Sequence, residues 1–184
     1  MSDPQAGDVV LIFARASTTP SNLACVMPRG ATLFSSTRGD PDALVVSEGD
    51  ARVDVLTHAL SPRFLVSSVV HCRPTGTLPV ATEEQASRGL LVGATDCGDP
   101  SRIDEFHDFY DRVHAREVLD TRLYWRGRRF ERIAGDATLP RFFALYDAVS
   151  PEPDTFRELQ SRPMTRVWPD VFLVRNVWTF NVMT

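Results

Sequence analysis

Lysine is absent from this sequence, and all twenty basic residues are arginine. A lysine Schiff base and a lysine general base are therefore excluded from any mechanism. The 24 acidic residues outnumber the basic ones and give a net charge of −4. This balance offers little electrostatic support for binding nucleic acid.

Cysteine is also scarce, with Cys25, Cys72 and Cys97 widely spaced and no CxxC pair among them. This spacing argues against a zinc knuckle and predicts reduced thiols, with Cys72 in the core. No apolar run approaches the roughly 18 residues of a membrane span. The start, "MSDPQAGD", lacks a basic region followed by an apolar one, so we expect a cytoplasmic protein without a membrane partner.

Cofactor signatures are missing as well. The sequence contains no Gly-x-Ser-x-Gly motif, P-loop or HExxH motif. "GLLVGATD" has glycines but not the strand, glycine loop and helix of a dinucleotide-binding fold. We therefore predict no cofactor and no resident metal.

The C-terminal half has clear periodicity. Apolar runs and alternation predict strands, and apolar residues three and four apart predict helices. Asp99 or Ser101 can cap the first helix. The expected order is strand 89–96, helix 101–119, strand 121–133, strand 141–149, helix 150–161 and strand 168–182. This βαββαβ order is the ferredoxin-like arrangement.

The N-terminal half predicts a degenerate version of the same unit, in which "STTPSNLA" stands where the first helix would be. Its expected elements are strands at 8–15, 31–36 and 42–49, a helix at 50–60 and a strand at 62–74. The predicted fold is thus α+β, with tandem ferredoxin-like units forming a pseudodimeric α/β barrel. The domain boundaries are 1–75 and 88–184, with a polar linker at 76–87. An ordinary homodimer would also cover an apolar sheet face.

The strongest helix contains "EFHDFYDRVH", residues 105–114. At about 100° per residue, His107, Tyr110, Asp111 and His114 lie along one strip beside the apolar stripe. A histidine beside an apolar wall has a basicity that can be tuned near neutral pH, and a tyrosine hydroxyl can donate to an oxyanion. The alternatives are a solvated helix flank and a metal site formed by the two histidines and the aspartate.

Other candidates are more isolated. "RGRRF" could bind an anion, but on an alternating strand Arg126 and Arg128 share one face while Arg129 takes the other. His58 and His71 are expected to be structural. Trp178 is the tryptophan expected at a contact between sheets.

Four motifs in order, "GLLVGATD", "EFHDFYDRVH", "RGRRF" and "FFALYD", resemble the EthD-like family of dimeric α/β-barrel proteins over residues 88–183. The resemblance implies a cleft between helix and sheet that His114 and its neighbours line. "HAREVL" departs from the His-x-Pro that usually ends the helix in this family. The expected catalytic residues are His107, Tyr110, Asp111 and His114. The expected substrate-binding residues are Phe106, Tyr124, Arg128, Tyr146 and Trp178.

Three functions follow as hypotheses. The first is a cofactor-independent lyase or isomerase, such as a cyclase or dehydratase, acting on a hydrophobic aromatic or polyketide-like carbonyl compound. In it His107 or His114 moves a proton, Tyr110 polarises the carbonyl and Asp111 orients a histidine. The second is a cofactor-free monooxygenase, and the third is a non-catalytic binding or assembly protein.

Overall fold

Alternating apolar residues build a barrel of eight strands. The computed structural model describes residues 7–17, 26–49, 52–61, 63–76, 78, 85–165 and 167–183. Its strands are β1 (Val9–Ala16), β2 (Ala31–Ser36), β3 (Ala43–Glu48), β4 (Phe64–Pro74), β5 (Gly89–Cys97), β6 (Tyr124–Gly135), β7 (Phe142–Ala148) and β8 (Phe172–Val182). Each predicted strand is present, and most ends agree to within three residues. The segment 18–25, with Cys25 and most of "STTPSNLA", lies outside the described residues.

The strands pair in the closed order β1-β3-β2-β8-β5-β7-β6-β4, and every pairing is antiparallel. The strands of each half therefore follow one pattern, in which the first strand lies between the last and the third. The β2–β8 and β4–β6 pairs join the halves, and closure leaves no sheet edge unpaired. The predicted α+β barrel is confirmed, whereas its division into two ferredoxin-like units stays a prediction.

The barrel interior is filled by apolar side chains from both halves. Phe13 of β1 packs against Trp178 of β8 and Phe143 of β7, with ring centroids 5.3 Å and 6.4 Å apart. Cys72 lies in the same cluster, and burial raises the pKa of its thiol to about 12. This cysteine is therefore an unreactive core residue, as expected from the sequence.

Helices cover the outside of the barrel. The described residues form α1 (Val53–Leu60), a long helix α2 over 103–120 and α3 (Asp154–Ser161). Helix α2 follows a 3-10 turn capped by Asp99, which accepts from the backbone N–H of Ser101 at 2.9 Å. None of these helices has the length and the apolar character needed to cross a bilayer.

The middle of α2 departs from the regular α-helix predicted there. Ile103–Phe109 and Ala115–Asp120 are α-helical, but Tyr110–His114 between them is a π-helix. Such segments are rare and occur frequently at functional sites. The helical angles derived from 100° per residue therefore do not apply beyond Phe109.

Candidate functional site

A buried arginine lies at the centre of the interface between α2 and the outer face of the sheet. The side chain of Arg129 on β6 is 1% exposed and pairs with Asp111, Nη1 to Oδ1, at 2.5 Å. Its guanidinium carbon lies 4.3 Å from the centre of the Tyr110 ring and 5.6 Å from that of Phe106. One carboxylate and two ring faces thus offset the cost of burying this cation.

The same guanidinium fixes the state of His107. Nη2 of Arg129 lies 3.1 Å from Nδ1 of His107. Arginine only donates, so Nδ1 must accept and the ring proton must lie on Nε2. Burial, followed by the charge of Arg129, lowers the pKa of His107. The histidine is therefore neutral, and its Nε2–H has no partner among the described residues.

Two phenols lie beneath this charged pair. Tyr110 of α2 and Tyr146 of β7 are buried, and burial raises the pKa of both hydroxyls. Each phenol is close enough to shift the pKa of the other, but Tyr146 Oη does not reach hydrogen-bonding geometry and is unpaired among the described residues. Both hydroxyls stay protonated at neutral pH and can only be donors to an incoming anion.

His114, at the end of the π-helical segment, lies in an aromatic environment. Its ring centroid is 5.0 Å from that of Tyr110 and 4.4 Å from that of Trp168. Burial lowers its pKa to about 4. Trp168 belongs to a segment that contacts α2 on both sides, through Thr165 to Glu117 and through Asp170 to Arg102.

The structure thus brings together three of the four predicted catalytic residues around Arg129, namely His107, Tyr110 and Asp111. His114 contacts Tyr110 from another side. Asp111 bonds to Arg129 and reaches His107 only through that guanidinium, so its predicted role in orienting a histidine stays a prediction and would be indirect. Arginine is the stronger partner for the carboxylate because its pairing is charge-assisted.

The predicted substrate-binding residues lie in different layers. Phe106, Tyr124 and Tyr146 are buried between α2 and the sheet. The hydroxyl of Tyr124 donates to the buried Glu152 at 2.9 Å, and burial, followed by that carboxylate, raises its pKa. These three residues therefore share the layer of the Arg129 cluster.

Trp178 and Arg128 lie on the opposite, inner face of the sheet. Trp178 is part of the barrel core, and Arg128 pairs with Asp147 at 3.0 Å and with Glu48 of the other half. A cleft under α2 cannot include them, so any binding role for these two residues belongs to the barrel interior.

Sequence reasoning missed two residues of the site. Arg129 was correctly placed on the face opposite Arg128, but that face was not recognised as the one that α2 covers. Trp168 was not singled out as a site residue. Among the described residues no group of three His, Cys, Asp or Glu side chains could hold a metal ion, so the alternative of a metal site at His107, Asp111 and His114 lacks ligating geometry.

Comparison with known proteins identifies the fold. No family profile and no curated protein matches the sequence. The chain is similar in structure to an anthrone oxidase-like protein, with a TM-score of 0.61 and 11% identity over 100% of this chain and 94% of that one. It is also similar to a chlorite dismutase-like protein, with a TM-score of 0.60 and 11% identity over 96% of this chain and 94% of that one.

A third similar structure is a mutant chlorite dismutase from Candidatus Nitrospira defluvii in complex with cyanide. Its TM-score is 0.58, with 9% identity over 97% of this chain and 91% of that one. At these identities the likeness concerns the fold alone. The chain shares with these proteins the fold of a closed eight-stranded antiparallel barrel with helices outside it, and membership of the EthD-like family is not confirmed.

Proposed function

We propose that the protein is an enzyme that removes a proton from carbon beside the carbonyl group of a flat, hydrophobic aromatic compound, using its own side chains. The observation that carries this proposal is the packing of a neutral His114 against Tyr110, whose ring is held by the buried Arg129. A base and a hydrogen-bond donor then flank one aromatic site. Cyclisation, dehydration and isomerisation can all proceed through the resulting enolate.

His114 is the better candidate for the base. Its two ring nitrogens have no hydrogen-bond partner among the described residues, and with a pKa of about 4 the ring is neutral at pH 7. In His107 the free lone pair already accepts from Arg129, so this ring can offer only its Nε2–H as a donor. The two histidines are seven residues apart, roughly 10 Å along a helix, so they cannot both act on one small carbonyl group.

Tyr110 is the candidate donor to the carbonyl oxygen. Its raised pKa keeps the phenol protonated, and Arg129 at 4.3 Å holds its ring from one face. In the reaction the C–H pair of electrons moves toward the carbonyl oxygen, the proton goes to His114, and Tyr110 hydrogen-bonds to the enolate oxygen. Return of the proton from His114 to another carbon completes an isomerisation.

The walls of the site favour an aromatic substrate. Trp168 lies against His114, and Phe172 lies 6.0 Å from Tyr110, centroid to centroid. Flat rings bind such walls through offset and edge-to-face contacts.

The test is exchange of the methylene hydrogens of anthrone, a tricyclic aromatic ketone, for deuterium in D2O, followed by proton NMR. We expect wild-type protein to catalyse exchange and His114→Gln to lower the rate by about 10²-fold or more. His58→Gln is the matched control, because His58 is an exposed helical histidine on α1. Full exchange in a folded His114→Gln protein, or no catalysis by wild type, contradicts the proposal.

A cofactor-free oxygenase is the second candidate, and the anthrone oxidase-like neighbour, which matches 100% of this chain, favours it. The same enolate would then give electrons to O2. Oxygen consumption distinguishes the oxygenase from an isomerase or lyase. An oxygenase consumes O2 during turnover, whereas an isomerase or lyase turns over equally in strict anaerobiosis. A ligand bound without turnover would instead indicate the non-catalytic binding protein.

The remaining architectural proposals rest on topology. We propose that residues 1–75 and 88–184 are two ferredoxin-like units joined by 76–87, which the repeated strand pattern supports. We also propose a homodimer, a cytoplasmic location and a place in the EthD-like family, the last of which the four motifs in residues 88–183 support. Size-exclusion chromatography with light scattering tests the dimer.

A further inference from the structure

The hydroxyl of Tyr146 is a buried donor with no partner at full hydrogen-bonding geometry among the described residues, and its nearest acceptor is the Tyr110 phenol, whose weak hydrogen bond contributes to the pKa shifts of both groups. The residue is 1% exposed and lies at the middle of β7. An unsatisfied buried hydroxyl costs about 1–3 kcal/mol, so it requires a particular explanation, such as a ligand or an ordered water. No acceptor on the sheet around it meets this need.

Two glycines and a guanidinium lie near the two phenols. Gly93 of β5 lies beside the Tyr110 hydroxyl, where a Cβ atom would stand 3.5 Å from Oη. Gly127 of β6 is paired with Tyr146, and a Cβ there would be 3.2 Å from its ring. Gly93 thus leaves the Tyr110 hydroxyl uncovered by a side chain of β5, whereas Leu78 fills the place beside Gly127, 3.0 Å from that Cβ position. The guanidinium of Arg129 lies over the Tyr110 ring.

We infer that the hydroxyls of Tyr146 and Tyr110 form a two-donor site for the charged oxygen of an aromatic phenolate or enolate. The inference rests on the proposed function, because it places the substrate oxygen within that site. Two O–H groups can both donate to one oxygen that carries two or three lone pairs.

The charge balance selects the kind of anion. Arg129 is paired with Asp111, and His107 is neutral, so the cluster has no net charge to match a phosphate or a sulfate. A charge spread over an aromatic ring is cheaper to desolvate than a compact one. The substrate class is therefore a hydroxylated aromatic ketone or another phenol, bound through its oxygen.

The test uses 4-nitrophenol, because its phenolate absorbs visible light and reports its own protonation state. We expect wild-type protein to bind the phenolate more tightly than the phenol and so to lower the apparent pKa of the dye. Tyr146→Phe should weaken phenolate binding roughly 10- to 100-fold, as for loss of a hydrogen bond to a charged group. Binding of 4-nitroanisole, which has the same shape without an acidic hydroxyl, should not change.

The matched control is Thr155→Val on α3, which removes a buried hydroxyl that donates to the backbone carbonyls of Ser150 and Pro151 instead. If Tyr146→Phe is unstable, Gly93→Val provides a second variant, because its methyl groups would occupy the space beside the Tyr110 hydroxyl. Gly93→Ala, whose Cβ makes only ordinary contact, should retain binding.

Two results would overturn the inference. One is equal affinity for phenolate and 4-nitroanisole, and the other is unchanged phenolate binding in Tyr146→Phe, which would mean that the hydroxyls hold a water only. Phenolate binding does not require His114, the base of the proposed reaction, so the two proposals can fail separately. A His114→Gln protein that binds phenolate, beside a wild type that catalyses no exchange, would refute the proposed reaction and leave this site standing.

Discussion

The two partners of the central ion pair should differ in how much stability their removal costs. The Arg129 side chain is 1% exposed, whereas that of Asp111 is 30% exposed. Removing one member of a buried pair costs about 3–5 kcal/mol, because the other charge is left without a partner. The charge that remains decides the size of the loss.

Asp111→Ala leaves a fully buried guanidinium with only a neutral histidine to accept from it, so we expect a loss of about 4–5 kcal/mol. Arg129→Met leaves a carboxylate that water can reach, so we expect a smaller loss of about 2–3 kcal/mol. The double variant leaves no unpaired charge. It should be roughly 2 kcal/mol more stable than the sum of the single losses predicts.

The assay is urea unfolding at pH 7, followed by tryptophan fluorescence, with midpoints compared at constant slope. His107 gives an independent signal by NMR, since its pKa should rise in Arg129→Met when the neighbouring positive charge is removed. A larger loss in Arg129→Met than in Asp111→Ala, or strictly additive losses in the double variant, would refute the reasoning.

Three further predictions concern pH, a buried hydrogen bond and a glycine. Burial lowers the pKa of His114 to about 4, so the unfolded chain takes up a proton that the native protein does not bind. The free energy of unfolding should therefore fall by about 1–2 kcal/mol from pH 6.5 to pH 5. His114→Gln should remove most of that fall in urea titrations. Tyr124→Phe should cost about 1–3 kcal/mol in thermal unfolding, since Glu152 loses a buried donor. Gly135→Ala should cost at least about 2 kcal/mol more than Gly49→Ala, because both glycines have positive φ but only at Gly135 would the added Cβ overlap a β4 carbonyl.

The strands and helices could be predicted because alternation and helical periodicity depend only on residues that are neighbours in the sequence. Alternation in β6 and β8 and the Asp99 cap of the 3-10 turn before α2 can be read from neighbouring residues alone. Closure of the barrel depends on the β2–β8 and β4–β6 pairs, which join residues far apart in the chain. A single sequence contains no local signal for such contacts.

The candidate site was only half predictable for two physical reasons. A π-helical turn differs from an α-helical one by a single shifted hydrogen bond, and packing around Tyr110 and His114 decides which forms. The burial of Arg129 depends on Asp111, eighteen residues away, and arginine is otherwise among the residues least often fully buried. For His107 and His114 the sequence predicted a basicity that the surroundings tune. It could not predict the neighbours that do so, because Arg129 beside His107 and Trp168 beside His114 come from other elements.

The connection between the halves links closure of the barrel to formation of the site. The backbone N–H of Thr75 donates to the carbonyl of Arg129 at 3.0 Å, directly after the strand β4 that pairs with β6. Gly76 then passes so close to Asp111 that a Cβ would lie 3.2 Å from Oδ2, and Leu78 is buried against Gly127. The predicted linker thus begins as part of the wall around the ion pair. Because this segment follows directly from β4, whose pairing with β6 joins the two halves, we expect the surroundings of the Arg129–Asp111 pair to be complete only when the halves have joined.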